Sequence, residues 1–408
     1  MRAVVLCAAL LAVVWPSRAE AQTVSLTETE AVARLSSESP RVRAIRASID
    51  VARADVLAAA RWPNPRATVD RESVAGVTES MTMVSQLLPV TGRRGLEVRA
   101  ASTLVAASSH RADEAVRRAR ADLRLTFAQL VAAQIGEREL ESARARLTEL
   151  ASALVAREAA GDAAGFDRLR AEHEVLDLEA DLATTATNRA RLQAAVVAFF
   201  EEPIDPSRLI AVAPVGAPVA LPPVDVLVAR SETGRGELLG LQSEADAARL
   251  SARAAVRRRI PEPEIVAGTK SSSAGGGHVG SVITVQAVVP LFDRGRAEQV
   301  LAEAEASRAE ARLEALRLAV ASQIAALRAS VVRQRETAER YRTAAVAGAS
   351  EIERIARVGY DAGERSILEL LDGIRVASSV RLRQAELDFE VRAAEIELEF
   401  VSGWEFSS

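Results

Sequence analysis

The chain has 408 residues, of which 49% are hydrophobic but only 3% aromatic, and its 52 basic and 56 acidic residues nearly balance. Such a balance argues against a nucleic-acid-binding protein, which needs a basic surface to displace counterions. The abundance of Ala, Leu, Val, Glu and Arg is typical of long helices rather than of a compact enzyme.

Residues 1–21 have the pattern of a secretory signal peptide. A charged start at Arg2 precedes a short apolar run, and Ala19-Glu20-Ala21 fits the cleavage site. The run is too short to span a membrane, and it contains Cys7, the only cysteine. No later stretch has 18 uninterrupted apolar residues, so we expect an exported protein without a transmembrane helix. If the chain crosses a membrane, it must do so with strands in a closed barrel.

An internal repeat organises the rest of the chain. Three motifs recur in order at offsets of 198, 201 and 202 residues: Arg61-Trp62-Pro63-Asn64-Pro65 with Arg259-Ile260-Pro261-Glu262-Pro263, Leu87-Leu88-Pro89 with Val288-Val289-Pro290, and Ala160-Gly161-Asp162 with Ala362-Gly363-Glu364. The sequence therefore predicts two repeats, residues 22–202 and 231–408. The linker between them, residues 203–230, begins with a stretch whose six prolines exclude a helix.

Each half has the same predicted order: a helix ending at a Pro-x-Pro motif, two short strands and two long helices. The predicted elements are 27–60, 67–73, 80–88, 93–158 and 166–200 in the first half, and 231–259, 264–270, 279–289, 295–357 and 366–402 in the second. A helix of about 65 residues is ~100 Å long. We expect a mainly α protein of long antiparallel helical hairpins with a small β part.

The four predicted strands are too few to close a barrel within one chain. Unpaired strand edges are a liability in water and are not permitted in a membrane. Three copies would supply twelve strands, a plausible pore size. The sequence thus predicts a cyclic homotrimer with a twelve-stranded transmembrane β-barrel.

Three motifs resemble those of the TolC-like outer-membrane efflux factors: Trp62-Pro63-Asn64-Pro65, Val289-Pro290-Leu291-Phe292-Asp293-Arg294-Gly295, and Gly359-Tyr360-Asp361-Ala362-Gly363-Glu364-Arg365-Ser366-Ile367-Leu368-Glu369-Leu370-Leu371-Asp372. The resemblance covers nearly the whole mature chain. It implies a passive outer-membrane duct that extends into the periplasm as a helical tunnel. Such ducts work with a periplasmic adaptor (a membrane fusion protein) and an inner-membrane pump of the RND or ABC type. Gln86-Leu87-Leu88-Pro89 with Gly92-Arg93-Arg94 leans toward the heavy-metal branch, resembling CzcC.

The resemblance also implies a gate at the hairpin tip. Glu369 and Asp372 match two acidic rings that narrow the tunnel, while Tyr360, Arg365 and Asp167 match tethers that hold it closed. The spacing independently puts Glu369 and Asp372 on one face near a helix start, where carboxylates are favoured. The alternative is that both are ordinary charges on a solvated helix face.

Other residues give no sign of catalysis or cofactor binding. The histidines lack metal-ligand spacing, and no nucleophile–base pattern appears, so we expect no metal, no cofactor and no enzyme. Met81 and Met83 share one strand face, which favours a lipid-facing strand over a thioether metal site. The leading function is export of small molecules or metal cations. The alternative is a periplasmic coiled-coil scaffold or adaptor without a pore.

Overall fold

A computed structural model describes residues 23–160, 165–213 and 219–404. The predicted signal peptide, residues 1–21, lies outside these residues. The described chain is mainly helical with one small antiparallel sheet, which confirms the predicted fold class.

The first half contains two strands in a hairpin and two long helices, preceded by shorter elements. In chain order these are β1 (Val24–Leu26), α1 (Glu28–Ala33), α2 (Pro40–Ala59), β2 (Arg66–Val74), β3 (Val77–Leu87), α3 (Arg93–Ala159) and α4 (Gly165–Val197). The prediction of one helix over 27–60 is wrong. A new helix begins at Pro40, since the Ser39 side chain caps it by accepting the N–H of Val42 at 3.3 Å, and proline fits only the first helical turn.

The second half repeats this order. Its elements are β4 (Leu209–Ala211), α5 (Val224–Gly234), α6 (Gly236–Val256), β5 (Pro263–Ser272), β6 (His278–Ala287), α7 (Arg296–Arg340), α8 (Ala347–Asp361) and α9 (Ile367–Ser402). A π-helical turn, Tyr341–Val346, joins α7 and α8 into one continuous helix. Helix α5 starts directly after Pro223, inside the predicted linker. Pro223 is the last proline of the Pro-rich stretch, so a helix can begin at the next residue.

Two very long helices set the shape of the molecule. Helix α3 has 67 residues and is therefore ~100 Å long. The continuous helix Arg296–Asp361 is, by length and composition alone, apolar enough to cross a membrane, whereas the sequence predicted no such helix. The same composition suits packing in a helical body, and Val320, Ile324 and Val331 are indeed buried in a cluster with Leu227 of α5.

The four longer strands form one antiparallel sheet in the order β2-β3-β5-β6. The register aligns side chains in rows across the sheet, and one row contains Ala67, Val84, Ala267 and Ile283. Since residues in a row share a face, the sheet has an apolar face, on which Ile283 is 79% exposed. Apart from Arg71, this face carries no charged side chain.

The opposite face of the sheet is polar. It carries the remaining charged side chains of the four strands: Arg66, Asp70, Glu72, Glu79, Glu264 and Lys270. Lys270 is the only lysine in the chain and pairs with Glu79 at 2.8 Å. Met81 lies directly opposite Lys270 and therefore on this charged face. The expectation that Met81 and Met83 lie on an apolar strand face is thus wrong, because spacing along one strand does not reveal the character of the whole sheet face.

A buried charge network ties the start of the chain to both halves of the helical body. Arg124 of α3 contacts Glu28 of α1 at 2.5 Å and also pairs with Glu399 of α9. Arg392 of α9 makes a second contact with Glu28, at 2.7 Å. Burial would raise the pKa of Glu28, but the hydrogen bond from Arg392 and the charges of Arg392 and Arg124 outweigh it and lower that pKa.

Candidate functional site at the hairpin tip

The turn between α8 and α9 is built by glycine and a helix cap. Gly363 adopts the left-handed conformation with φ 74°, and the N–H groups of Glu364 and Arg365 donate to the Gly359 carbonyl at 2.9 and 3.1 Å. Ser366 then starts α9, where its side chain accepts the N–H of Glu369. These contacts set the direction in which the first turn of α9 leaves the tip.

Glu369 completes that cap. Its carboxylate accepts the Ser366 N–H at 2.9 Å and the Ser366 hydroxyl at 3.2 Å, and Arg365 contacts it at 3.1 Å. The Ser366 hydrogen bonds and the nearby Arg365 charge lower the pKa of Glu369, so the group stays ionised. Ser366 and Glu369 have the Ser-x-x-Glu pattern of a capping box, which in the sequence already indicates this role.

Asp372 differs from its neighbour. It lies one turn further along α9 and is exposed. No hydrogen bond or ion pair involves Asp372 within the described part of the chain, although its charge contributes, after that of Glu174, to the raised pKa of Arg375. Of the two predicted ring residues, Asp372 is the one whose carboxylate is not used by the local structure.

The three predicted tether residues divide into two groups. Tyr360 is half-buried, with Arg157 of α3 lying 5.7 Å from its ring centre. Burial raises the pKa of Tyr360, and the nearby Asp167 carboxylate adds to the rise while Arg157 opposes it. Arg365 lies against Gly359 but forms its ion pair with Glu369 on its own turn. The Asp167 charge thus acts on Tyr360 across the two hairpins, whereas Arg365 pairs within its own turn.

An ion pair that the sequence did not predict links the hairpins directly. Arg375 of α9 donates two hydrogen bonds to the Glu174 carboxylate of α4, from Nε at 3.0 Å and from Nη2 at 2.5 Å. The Glu174 side chain is only 9% exposed. Charge-assisted hydrogen bonds are short and directional, and loss of Arg375, which is itself 56% exposed, would leave the buried Glu174 carboxylate without its partner.

An apolar cluster lies beneath these charges. It joins the two hairpins through buried residues of α3, α4, α8 and α9: Leu147, Ala151, Leu154, Ala171, Ala356, Ile367, Leu370, Leu371 and Ile374. Helices α8 and α9 approach closely at Gly373, where an added Cβ would lie 2.8 Å from the Ala356 Cβ. The tip therefore depends on a glycine for its tight helix contact.

Comparison with known proteins agrees with this architecture. Residues 227–403 match the family described as outer membrane efflux protein. No curated protein sequence matches the chain. The family match confirms the resemblance predicted from the sequence.

Solved structures share the fold over most of the chain. A membrane protein from Pseudomonas aeruginosa has a TM-score of 0.76 at 19% identity, over 92% of this chain and 93% of its own. The outer membrane protein VceC from Vibrio cholerae gives 0.74 at 16% identity, over 93% and 97%. The CmeC outer membrane channel of Campylobacter jejuni gives 0.78 at 13% identity, over 93% and 86%. These likenesses establish the fold.

Proposed function

With its second half matching the outer membrane efflux proteins and its whole fold shared with outer-membrane channels, we propose that this chain is one subunit of an outer-membrane efflux channel. It acts as a passive duct for small molecules or metal cations and has no catalytic role. The observation that carries the proposal is a four-stranded sheet with one almost charge-free apolar face, set at the end of helices ~100 Å long.

The strands have the dimensions of membrane-spanning strands. They contain 9, 11, 10 and 10 residues, and about 9–11 residues are needed to cross a bilayer at the usual tilt. The apolar face then meets lipid and the charged face lines the lumen. This arrangement supports a location in the outer membrane with the helices extending into the periplasm.

Closure of the sheet supports a homotrimer. Strands β2 and β6 are the two edges, and each has a free row of backbone groups within the described sheet. Because the chain contributes an even number of antiparallel strands, β6 of one copy can pair antiparallel with β2 of the next. Three copies give twelve strands. The helical body would then dock a periplasmic adaptor and, through it, an inner-membrane pump.

The hairpin tips supply the gate of this duct. In the trimer, Asp372 forms the ring that selects cations, since its carboxylate is exposed and unpaired in the described structure. Glu369 contributes charge to a second ring while also capping α9. Closure rests on Tyr360 with Asp167 and on the Arg375 pair described above, and Arg365 supports it by positioning Glu369.

The lipid-facing assignment is tested by a pair of arginine substitutions on adjacent residues of β6. Ile283→Arg places a charge on the apolar face at a cost of about 2–4 kcal/mol near the bilayer midplane, so it should reduce insertion. Val282→Arg places the same charge on the polar face and should be tolerated. Insertion is measured by the fraction of protein that resists extraction from outer membranes without detergent. Equal tolerance of both changes would contradict a membrane-spanning sheet.

The gate is tested by single-channel recording in planar bilayers. Asp372→Asn should lower the preference for cations and weaken block by multivalent cations. Glu369→Gln should change selectivity less and should also weaken the start of α9, because a neutral side chain caps less strongly. Unchanged ion selectivity in Asp372→Asn would mean that this carboxylate is an ordinary charge on a solvated helix face.

A further inference from the structure

All four passages of the chain between sheet and helices lie at one level of the molecule. These are residues 60–66, 88–94, 257–263 and 288–296, named here the junction collar. The Leu88 N–H donates to the Pro263 carbonyl at 2.9 Å, and Arg93 contacts Glu262 at 3.4 Å. Arg94 bonds to the Ala60 carbonyl. An added Cβ at Gly295 would lie 2.9 Å from the Arg258 side chain, so the fourth passage adjoins the third. The collar is therefore a contiguous band and not four separate loops.

The junction collar is strongly basic. It contains nine arginines and two carboxylates, a net charge of +7, whereas the whole chain has a net charge of −4. The arginines are Arg61, Arg66, Arg93, Arg94, Arg257, Arg258, Arg259, Arg294 and Arg296. Among the described residues only Arg93 and Arg258 form ion pairs with carboxylates. Most of this positive charge is thus not neutralised within the chain.

Exposed apolar side chains accompany the arginines. Phe292 is 100% exposed and Val288 is 85% exposed. Leu291 and Trp62 are 63% and 58% exposed. A band that combines exposed aromatic and aliphatic side chains with unpaired arginines has the chemistry of a surface that enters the headgroup region of an anionic membrane.

We infer that the junction collar binds the anionic phospholipid headgroups of the leaflet that faces the helical body. The inference rests on the proposed membrane-spanning sheet, because that sheet places the collar at the level of the headgroups. Guanidinium groups contact the phosphates in a bidentate manner, while Phe292 and its neighbours reach the upper acyl chains. The collar would thereby fix the depth of the channel in the membrane.

The experiment compares insertion into phosphatidylethanolamine vesicles with and without phosphatidylglycerol. Insertion is followed by flotation, and channel activity by conductance. The wild-type protein should insert faster when phosphatidylglycerol is present, and high salt should reduce the difference by screening. The triple variant Arg257→Gln, Arg259→Gln, Arg294→Gln removes exposed arginines without ion pairs. The ratio of its insertion rates with and without phosphatidylglycerol should fall at least about tenfold, since each basic residue near an anionic surface contributes about fivefold to membrane binding.

A matched control removes the same charge elsewhere. Arg312, Arg333 and Arg340 of α7 are exposed and make no ion pair in the described part of the chain. Their triple substitution to Gln should keep the lipid advantage. An equal loss in both triple variants, or no lipid preference in the wild type, would overturn the inference. Absence of conductance in either lipid would instead contradict the proposed channel, which keeps the two failures apart.

Discussion

Replacement of Arg124 by methionine tests how the buried charge network holds the helical body together. Methionine matches the length of the arginine stem but removes its charge. Glu28 keeps its contact with Arg392, at 2.7 Å. Glu399, whose side chain is 4% exposed, loses its ion-pair partner and has a second carboxylate oxygen that is already without a hydrogen bond. The substitution therefore leaves one buried carboxylate uncompensated.

Loss of one partner from a buried ion pair typically costs about 3–5 kcal/mol of unfolding free energy. With an unfolding entropy of about 2.1 cal/mol/K per residue, this loss lowers the melting temperature of a chain of this length by about 4–6 °C. The expected shift in melting temperature is the same for a trimer, because both the number of substituted sites and the unfolding entropy increase threefold. The measurement is a thermal melt of detergent-purified protein followed by tryptophan fluorescence.

Removal of both members of the pair supplies the decisive comparison. The double variant Arg124→Met with Glu399→Met leaves no buried unpaired carboxylate, so it should be more stable than the sum of the two single losses predicts. As a surface control, Arg333→Met should change the unfolding free energy by less than about 0.5 kcal/mol. Strictly additive single and double variants would refute the view that the two side chains act as a buried pair.

Three further outcomes are expected. Gly373→Ala should raise resting conductance by pushing α8 away from α9, whereas Gly348→Ala, where an added Cβ meets nothing within 4 Å, should leave conductance unchanged. Since the pKa of Glu28 is lowered in the folded state, its stabilising effect is complete above the unfolded value of 4.5 and is lost as the pH falls through the folded value. The melting temperatures of wild type and Glu28→Gln should therefore converge as the pH is lowered. A difference that stays constant with pH would contradict this. Arg375→Gln should raise the open probability in single-channel records by leaving Glu174 buried without its ion-pair partner, and unchanged gating would mean that closure rests on the apolar cluster.

The long elements could be predicted closely from the sequence because strong local signals mark their ends. Helix α3 starts after Gly92, which has a positive φ of 74°, and ends at Ala159, one residue beyond the prediction. By contrast, the three-residue strands β1 and β4 were missed. They pair in parallel, with Val24 beside Leu209, and such a distant pairing of short segments leaves no periodic pattern.

The candidate site was predictable in part. The sequence placed Tyr360, Glu369 and Asp372 at a tip between two long helices. The residues of the turn are sufficient to predict that position. It could not pair Arg375 with Glu174, because the two residues are 201 positions apart and either would look like an ordinary helix-face charge. Contacts between hairpins depend on how α4 and α9 pack, which periodicity within each helix does not specify.

The presence of a single lysine gives the sheet a unique chemical handle. Apart from three histidines, every other basic side chain is arginine, which does not react with acylating reagents at neutral pH, so Lys270 is the one side-chain amine of the sheet that an amine-directed dye can label stably. The partner Glu79 lies at 2.8 Å, and both side chains are 41% exposed, which leaves the amine accessible to reagents that reach this face of the sheet. In the proposed channel, labelling of Lys270 in intact cells with membrane-impermeant reagents of increasing size would therefore measure the width of the outer mouth at one side chain per subunit.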